Sequence, residues 1–445
     1  MPEIASPSAS TLTPAKTARQ RTDTFTSIWM MIAVAMAIVT LVAKSRMPQP
    51  LWTMIHLVTL GVLSNGIFQW SWFFARSLAR LSADDPRARR HNTIRVLIFN
   101  AFFASLFVSM WLGWMVGTVI AATGIAAVAA WHGAEMLSVL RERLASRFVV
   151  VVRYYVCSAS FFVLAALLAS FVTVTMFSPS IPEAMVAMRD RLTLAHALSG
   201  VAGWVGLTIG GTVITLGPTI LRTRMSPDAV SGGVRVLLPW CLSLLLAIAG
   251  ALLGVMPLVG AGILAVGACA IVGIVYPYAK VLRNKGPREY SAWSFLLGLL
   301  WISVGVCALG VAALFVSTPS QLRALTLMWL PIIGIAGFAQ LFQGALSYLM
   351  PVVIGGGPSI VRIGIAIIDW QFPLRLGLRN SALILELFLF FAGDTPSVHV
   401  LRMAGWFLVI ATFVIDVVIY AKTGVTQARA RRARSETLSE SRQVQ

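Results

Sequence analysis

Histidines are the residues in this chain best placed to do chemistry, and there are five: His56, His91, His132, His196 and His399. Neutral imidazole is the usual protein ligand for haem iron and copper. His56 opens the stretch HLVTLGVLSNGIFQWSWFFARSLAR (56–80), and His196 opens HALSGVAGWVGLTIGGTVITLGPTILRTRM (196–225). Each stretch is apolar and glycine-rich, and each closes on arginines: Arg76 and Arg80 in the first, Arg222 and Arg224 in the second. A histidine within a lipid-embedded helix is costly unless it is bound, paired or facing water. The matched placement makes His56 and His196 candidate ligands for a shared metal or haem. His399, at the start of a later apolar run, is a third candidate. His132 lies inside an apolar run with Glu135 one turn on. His91 lies in a basic loop and is expected to be solvated.

Three acids fall within apolar runs: Glu135, Glu386 and Asp416. Buried carboxylates in membranes can relay protons, and they can equally hold helices together. Pairing with Arg153, Arg379 or a tyrosine is the expected role. Asn65, Asn100, Gln340 and Gln343 are further polar groups in apolar runs, suited to hydrogen-bonding a cofactor or a neighbouring helix. The cysteines Cys157, Cys241, Cys269 and Cys307 are scattered, with no CxxC or CxxCH, which argues against covalent haem. No HExxH, GxSxG, Walker or EF-hand pattern occurs. Gly355–Gly356–Gly357–Pro358 lacks the Lys-Ser/Thr of a phosphate loop and reads as a helix stop.

The elements that must position these residues are membrane helices. The chain is 58% hydrophobic and 11% charged, with mean hydropathy +0.84. Soluble domains carry roughly 25% charged residues. Apolar runs recur along the chain, each long enough to span a bilayer as a helix. They predict an all-α polytopic membrane protein with about twelve spans. The predicted spans are 25–43, 51–75, 94–112, 115–138, 148–177, 193–217, 235–256, 258–280, 291–317, 325–354, 379–393 and 398–421. Residues 1–24 and 422–445 read as disordered cytoplasmic tails, the second one basic, flanking a membrane domain at 25–421. The loop 178–192 is expected to lie along the interface as a helix.

With the N-terminus inside, the outer side holds only Lys44, Arg46, Arg189, Arg191, Arg323 and Arg402 of the 35 Lys and Arg. That bias predicts both ends inside, in the plasma membrane of the cell. It also places His56, His196 and His399 near the outer face. The formal charge of +19 is spread over short loops, with no basic-aromatic motif, so nucleic-acid binding is excluded. The second, sixth and tenth spans look related, each long and Gly-rich. Spacing by four spans suggests three four-helix units.

The stretches 56–80 and 196–225, together with FQGALSYLMPVVIGGGPSIVR (342–362), resemble an actinobacterial polytopic membrane family. In some of its members the membrane part is fused to cupredoxin domains of multicopper oxidase or nitrite reductase type. The chain is also distantly similar to the NnrS family and to haem-copper oxidase subunit I. The resemblance implies a haem- or copper-linked role near the outer face, carried by His56 and His196. Two departures limit it. Phe73 stands in WSWFFAR (70–76) where the family pattern has a histidine, and no cupredoxin domain follows before Gln445. The tenth span has no histidine either, which argues against oxygen reduction of the oxidase type.

The sequence therefore predicts binding of haem b or copper near the outer face, for electron transfer, nitric-oxide handling or metal handling. It leaves open whether the chain is an enzyme. Two alternatives stand beside this reading. One is a proton-coupled secondary transporter that uses Glu135, Glu386 and Asp416. The other is a non-catalytic membrane scaffold for a separate cupredoxin or multicopper protein.

Overall fold

A computed structural model describes the chain from Ala18 to Gln443, except residues 44–45, 83, 145–148, 178–181, 224–226, 285 and 394. Every regular element among the described residues is helical. That follows from the composition, because an apolar segment in lipid has to pair its own backbone groups. The helices are α1 (Ala18–Ala43), α2 (Pro50–Leu78), α3 (Arg87–Trp111), α4 (Met115–Glu142), α5 (Val150–Phe177) and α6 (183–220). They continue as α7 (Pro227–Leu253), α8 (Met256–Arg283), α9 (Tyr290–Phe315), α10 (319–354), α11 (Pro358–Ile368), α12 (Phe372–Leu389) and α13 (Pro396–Gln443). Ten of the helices are long and apolar enough to cross a membrane, and Phe25–Thr40 within α1 and α11 are shorter apolar helices.

The chain divides into two compact units, up to Thr212 and from Val213, rather than the three expected from four-span spacing. α2, α6 and α10 each contain a π-helical segment, at Leu57–Ser64, Leu198–Gly206 and Ile332–Ala339, but α3 and α8 contain shorter ones at Arg87–His91 and Ile271–Val275, so the feature does not set the second, sixth and tenth spans apart. A π segment is rare in helices and is frequent at functional sites. Here the first two begin within two residues of His56 and His196.

Several expected boundaries move. The segment expected to lie along the interface at 178–192 is helical from Glu183, where it forms the first part of α6, and residues 178–181 lie outside the described residues. The eleventh span, expected at 379–393, is α12 and starts at Phe372, because Arg375 and Arg379 are buried and belong to the helix. The tail expected to be disordered after Lys422 continues α13 to Gln443. Contacts with the glycine turn after α10 hold it: Gln427 Nε2 donates to Pro351 O at 2.7 Å, and Arg431 Nη1 to Ile354 O at 2.7 Å. Arg434 Nη1 adds a bond to Gly356 O at 3.1 Å. These side chains satisfy carbonyls that a helix C-terminus leaves open. The tail expected at 1–24 lies outside the described residues as far as Thr17, and from Ala18 the chain is helical.

In the second unit α9 and α10 pack backbone to backbone. A Cβ added at Gly298 would lie 2.5 Å from Leu341 N, and one at Gly344 would lie 2.5 Å from Phe295 N. Small residues permit such approaches in membrane bundles. Gly298→Ala and Gly344→Ala should each destabilise the protein by about 1–3 kcal/mol through overpacking. Thermal unfolding in detergent measures this, and unchanged melting would contradict the close approach.

Candidate functional site

The first unit brings His56 and His196 together. Their ring centres are 6.1 Å apart and their planes differ by 14°. Each ring is held by a backbone carbonyl. His56 Nδ1 lies 2.8 Å from Trp52 O, one turn back on its own helix. His196 Nδ1 lies 2.8 Å from Ala165 O on α5. A carbonyl can only accept, so both rings carry their proton on Nδ1 and leave Nε2 as a lone pair. Neither Nε2 has a hydrogen-bond partner among the described residues. A carbonyl on one nitrogen and a free lone pair on the other is the usual outer-shell arrangement of a ligating histidine.

The pair is well braced. Trp52 stacks on His56 at 4.3 Å, and Trp111 Nε1 donates to Thr53 Oγ1 at 3.0 Å. Two turns deeper the π segments meet, where Trp204 Nε1 donates to Ser64 Oγ at 2.9 Å. Gly200, one turn beyond His196, leaves that face open: a Cβ there would touch only Ala165 Cβ, at 3.8 Å.

From His56 a continuous column of rings runs through the unit: Trp52, Phe107, Phe103, Phe99, Phe68 and finally His132. Successive ring centres are between 4.3 and 6.3 Å apart. Phe99, Phe103 and Phe68 are fully buried, so the column is the core that fixes α2, α3 and α4. His132 is itself fully buried, with Nε2 3.4 Å from Ser71 Oγ.

The other predicted residues fall elsewhere. Among the described residues no three His, Cys, Asp or Glu side chains gather to hold a metal. His399 belongs to the second unit. It sits exposed in the first turn of α13 and lines an open surface cavity of about 430 Å³ with Arg402, Met403, Trp406, Phe407 and Ile410. His91 is not merely solvated, because its Nδ1 meets Glu135 Oε1 at 2.6 Å. Glu135 also accepts from Trp131 Nε1 at 3.0 Å and forms an ion pair with the fully buried Arg95. Close by, at the start of α3, the guanidinium of Arg87 donates to Asp85 in the loop before it and holds that carboxyl below the usual carboxylate range.

In the second unit Asp416 forms ion pairs with Arg375 and Arg379, and it accepts from Tyr290 Oη at 2.7 Å. The remaining arginine donors are also used. Arg375 Nε bonds Trp370 O at 3.0 Å and its Nη2 bonds Ile368 O at 2.5 Å. Arg379 Nη1 bonds Gln343 Oε1 at 3.0 Å, and its Nε bonds Thr412 Oγ1 at 3.1 Å. Glu386 is different. It is 2% exposed, it pairs with Arg402 Nε at 3.6 Å, and its Oε1 has no hydrogen-bond partner among the described residues.

The sequence pointed to Arg153, Arg379 or a tyrosine as partners for the acids, but not to Arg375 or Arg95; among the described residues Arg153 pairs with none of the three acids. A signal was present. Arg375 lies four residues before Arg379, and His91 four before Arg95, so each couple shares one helix face.

No protein-family model matches the chain, no curated protein matches it, and no solved structure matches it.

Proposed function

We propose that this is a multi-pass plasma-membrane protein in which His56 and His196 jointly hold one metal centre, a b-type haem iron, for electron transfer. The observation that carries the reading is the geometry of the pair. Metal–nitrogen bonds near 2 Å let two imidazoles share one metal only when their centres are no more than about 6 Å apart. The pair stands at 6.1 Å with nearly parallel planes and both Nδ1 atoms anchored. Two protein ligands suffice for haem, because the porphyrin supplies the other four nitrogens. Bound there, haem would supply a reversible one-electron couple. The residues do the positioning: Trp52 and Ala165 fix the tautomers, and Gly200 keeps a face clear.

A second reading is a two-coordinate copper(I) ion. Imidazole nitrogen suits copper as well as iron, so the same two nitrogens fit it. The resemblance to membrane proteins fused to copper-binding cupredoxins also supports it, with a separate cupredoxin or multicopper protein as electron partner. The transporter alternative loses weight, because Glu135 and Asp416 are both engaged by buried arginines.

Counting Phe25–Thr40 and α12 with the ten long apolar helices supports a reading of twelve spans. On that reading the arginine and lysine bias has both ends in the cytoplasm and the histidine pair near the outer face. Reporter fusions after Arg90 and after Asp190 should report opposite sides.

The deciding experiment is an absorption spectrum with metal analysis of the purified protein. A Soret band with stoichiometric iron is the expected result. Stoichiometric copper without a Soret band selects the second reading. A colourless, metal-free and stable protein that takes up neither added haem nor copper would overturn both.

A further inference from the structure

We propose that Lys422, Arg429 and Arg432 on α13 bind the phosphate of an anionic phospholipid whose acyl chains lie along the same helix face. The inference does not rest on the metal reading, nor on which side of the membrane this end of α13 faces.

α13 carries two stripes that end differently. The first is Val400, Phe407, Val414 and Val418, each more than half exposed. Their spacing by seven and four residues keeps them on one helix face. From Val400 to Val418 this face is apolar over about 27 Å at 1.5 Å per residue, close to the ~30 Å hydrocarbon core of a bilayer. Steps of three and four carry the same stripe on to Lys422, Val425, Arg429 and Arg432. There its character changes, because the three basic residues are all exposed and Val425 among them stays more than half exposed.

The opposite stripe is Val409, Asp416, Thr423 and Gln427, each fully buried. It continues to Arg431 and Arg434, which bond Ile354 O and Gly356 O in the turn after α10. So α13 divides its arginines by face: one pair holds the turn, and the other prolongs the apolar face. The bonds to the turn also fix where that face stands. α10 ends there with Val352 and Val353 exposed at 48% and 52%. The basic end of α13 is therefore held beside an apolar edge of the bundle and does not stand off in water.

Position and charge together specify the occupant. Within the described residues no hydrogen bond or ion pair engages the side chains of Lys422, Arg429 or Arg432. From Ile419 to Thr437 the helix has five basic residues and one acid, Glu436. Guanidinium forks match phosphate oxygens, and basic residues just past a membrane helix attract anionic headgroups. Lys422 stands highest on the stripe, where a long stem lets its ammonium reach headgroup level. A zwitterionic headgroup brings its own ammonium and leaves the three cations unbalanced. A soluble acidic partner has no use for the apolar stripe above them. An anionic phospholipid fits both halves.

The test is site-resolved photo-cross-linking of the full chain in lipid nanodiscs. Phosphatidylglycerol and phosphatidylcholine probes carry the same photoreactive acyl chain, and labelled peptides are located by mass spectrometry. The expected result is that the phosphatidylglycerol probe preferentially labels α13 between Val414 and Val425. Each basic residue near a membrane surface contributes about fivefold in affinity for anionic lipid. Lys422→Gln, Arg429→Gln and Arg432→Gln should therefore each lower the preference about fivefold, and the triple variant should remove it. All three positions are exposed, so the variants keep the buried contacts of the fold, and labelling elsewhere in the chain is the internal standard. Equal labelling by the two probes, or a preference that survives the triple variant, would overturn the proposal. So would an unlabelled face, the result expected if a second copy of the chain were seated on it.

Discussion

Replacing either His56 or His196 by alanine should remove the stoichiometric centre, and replacing both should leave no bound metal at all. The expected loss in affinity is at least about 100-fold for each single change, since removing only an outer-shell partner already costs 10–100-fold. The spectrum should separate the two metals. With haem, a single variant that retains some iron should become five-coordinate and begin to bind carbon monoxide or nitric oxide, which the parent does not. With copper(I), losing one of two ligands should empty the site. Thermal stability should change little in either variant, because both imidazoles are only partly buried and each gives up a single carbonyl contact. Full metal content in both variants would defeat the shared site outright.

Asp416→Asn should be the most destabilising change of an acid, by about 3–5 kcal/mol, because it leaves Arg375 and Arg379 buried without their counter-charge. The two arginines are 4% and 0% exposed, so neither can turn to solvent for relief. Glu386→Gln should cost less than about 1 kcal/mol. Its cation stands 3.6 Å away on a side chain 42% exposed, where an ion pair contributes little. Denaturant titration of the purified variants, with metal content read per folded molecule, measures both effects. Destabilisation by Asp416→Asn with metal content intact identifies a structural lock. Unchanged stability with lost function would instead make Asp416 a proton relay. The contrast with Glu386 guards against a general effect of removing charge from a membrane helix.

The sequence by itself determined the class of protein and the identity of the pair. Long apolar runs leave the backbone no solution in lipid except helices, so α2 to α10 and α13 were legible from composition alone. His56 and His196 were legible because a histidine is expensive inside a span and both open a glycine-rich one. Aromatic and glycine spacing did not reveal that the two rings approach to 6.1 Å. That depends on the carbonyls of Trp52 and Ala165 and on where α5 passes α6. The π segments were equally hidden, since helix periodicity is averaged over a window and a local change of register leaves no residue signature. The tail after Lys422 looked too polar to fold. Its order comes from the carbonyls around Gly355 and Gly356, which sit about 70 residues earlier in the chain. The acids show the same division. Sequence could say that Glu135 and Asp416 need partners, because burying a charge alone is prohibitive. Only the tertiary structure chose Arg95, Arg375 and Arg379, because which helix faces meet is decided by packing among elements far apart in sequence.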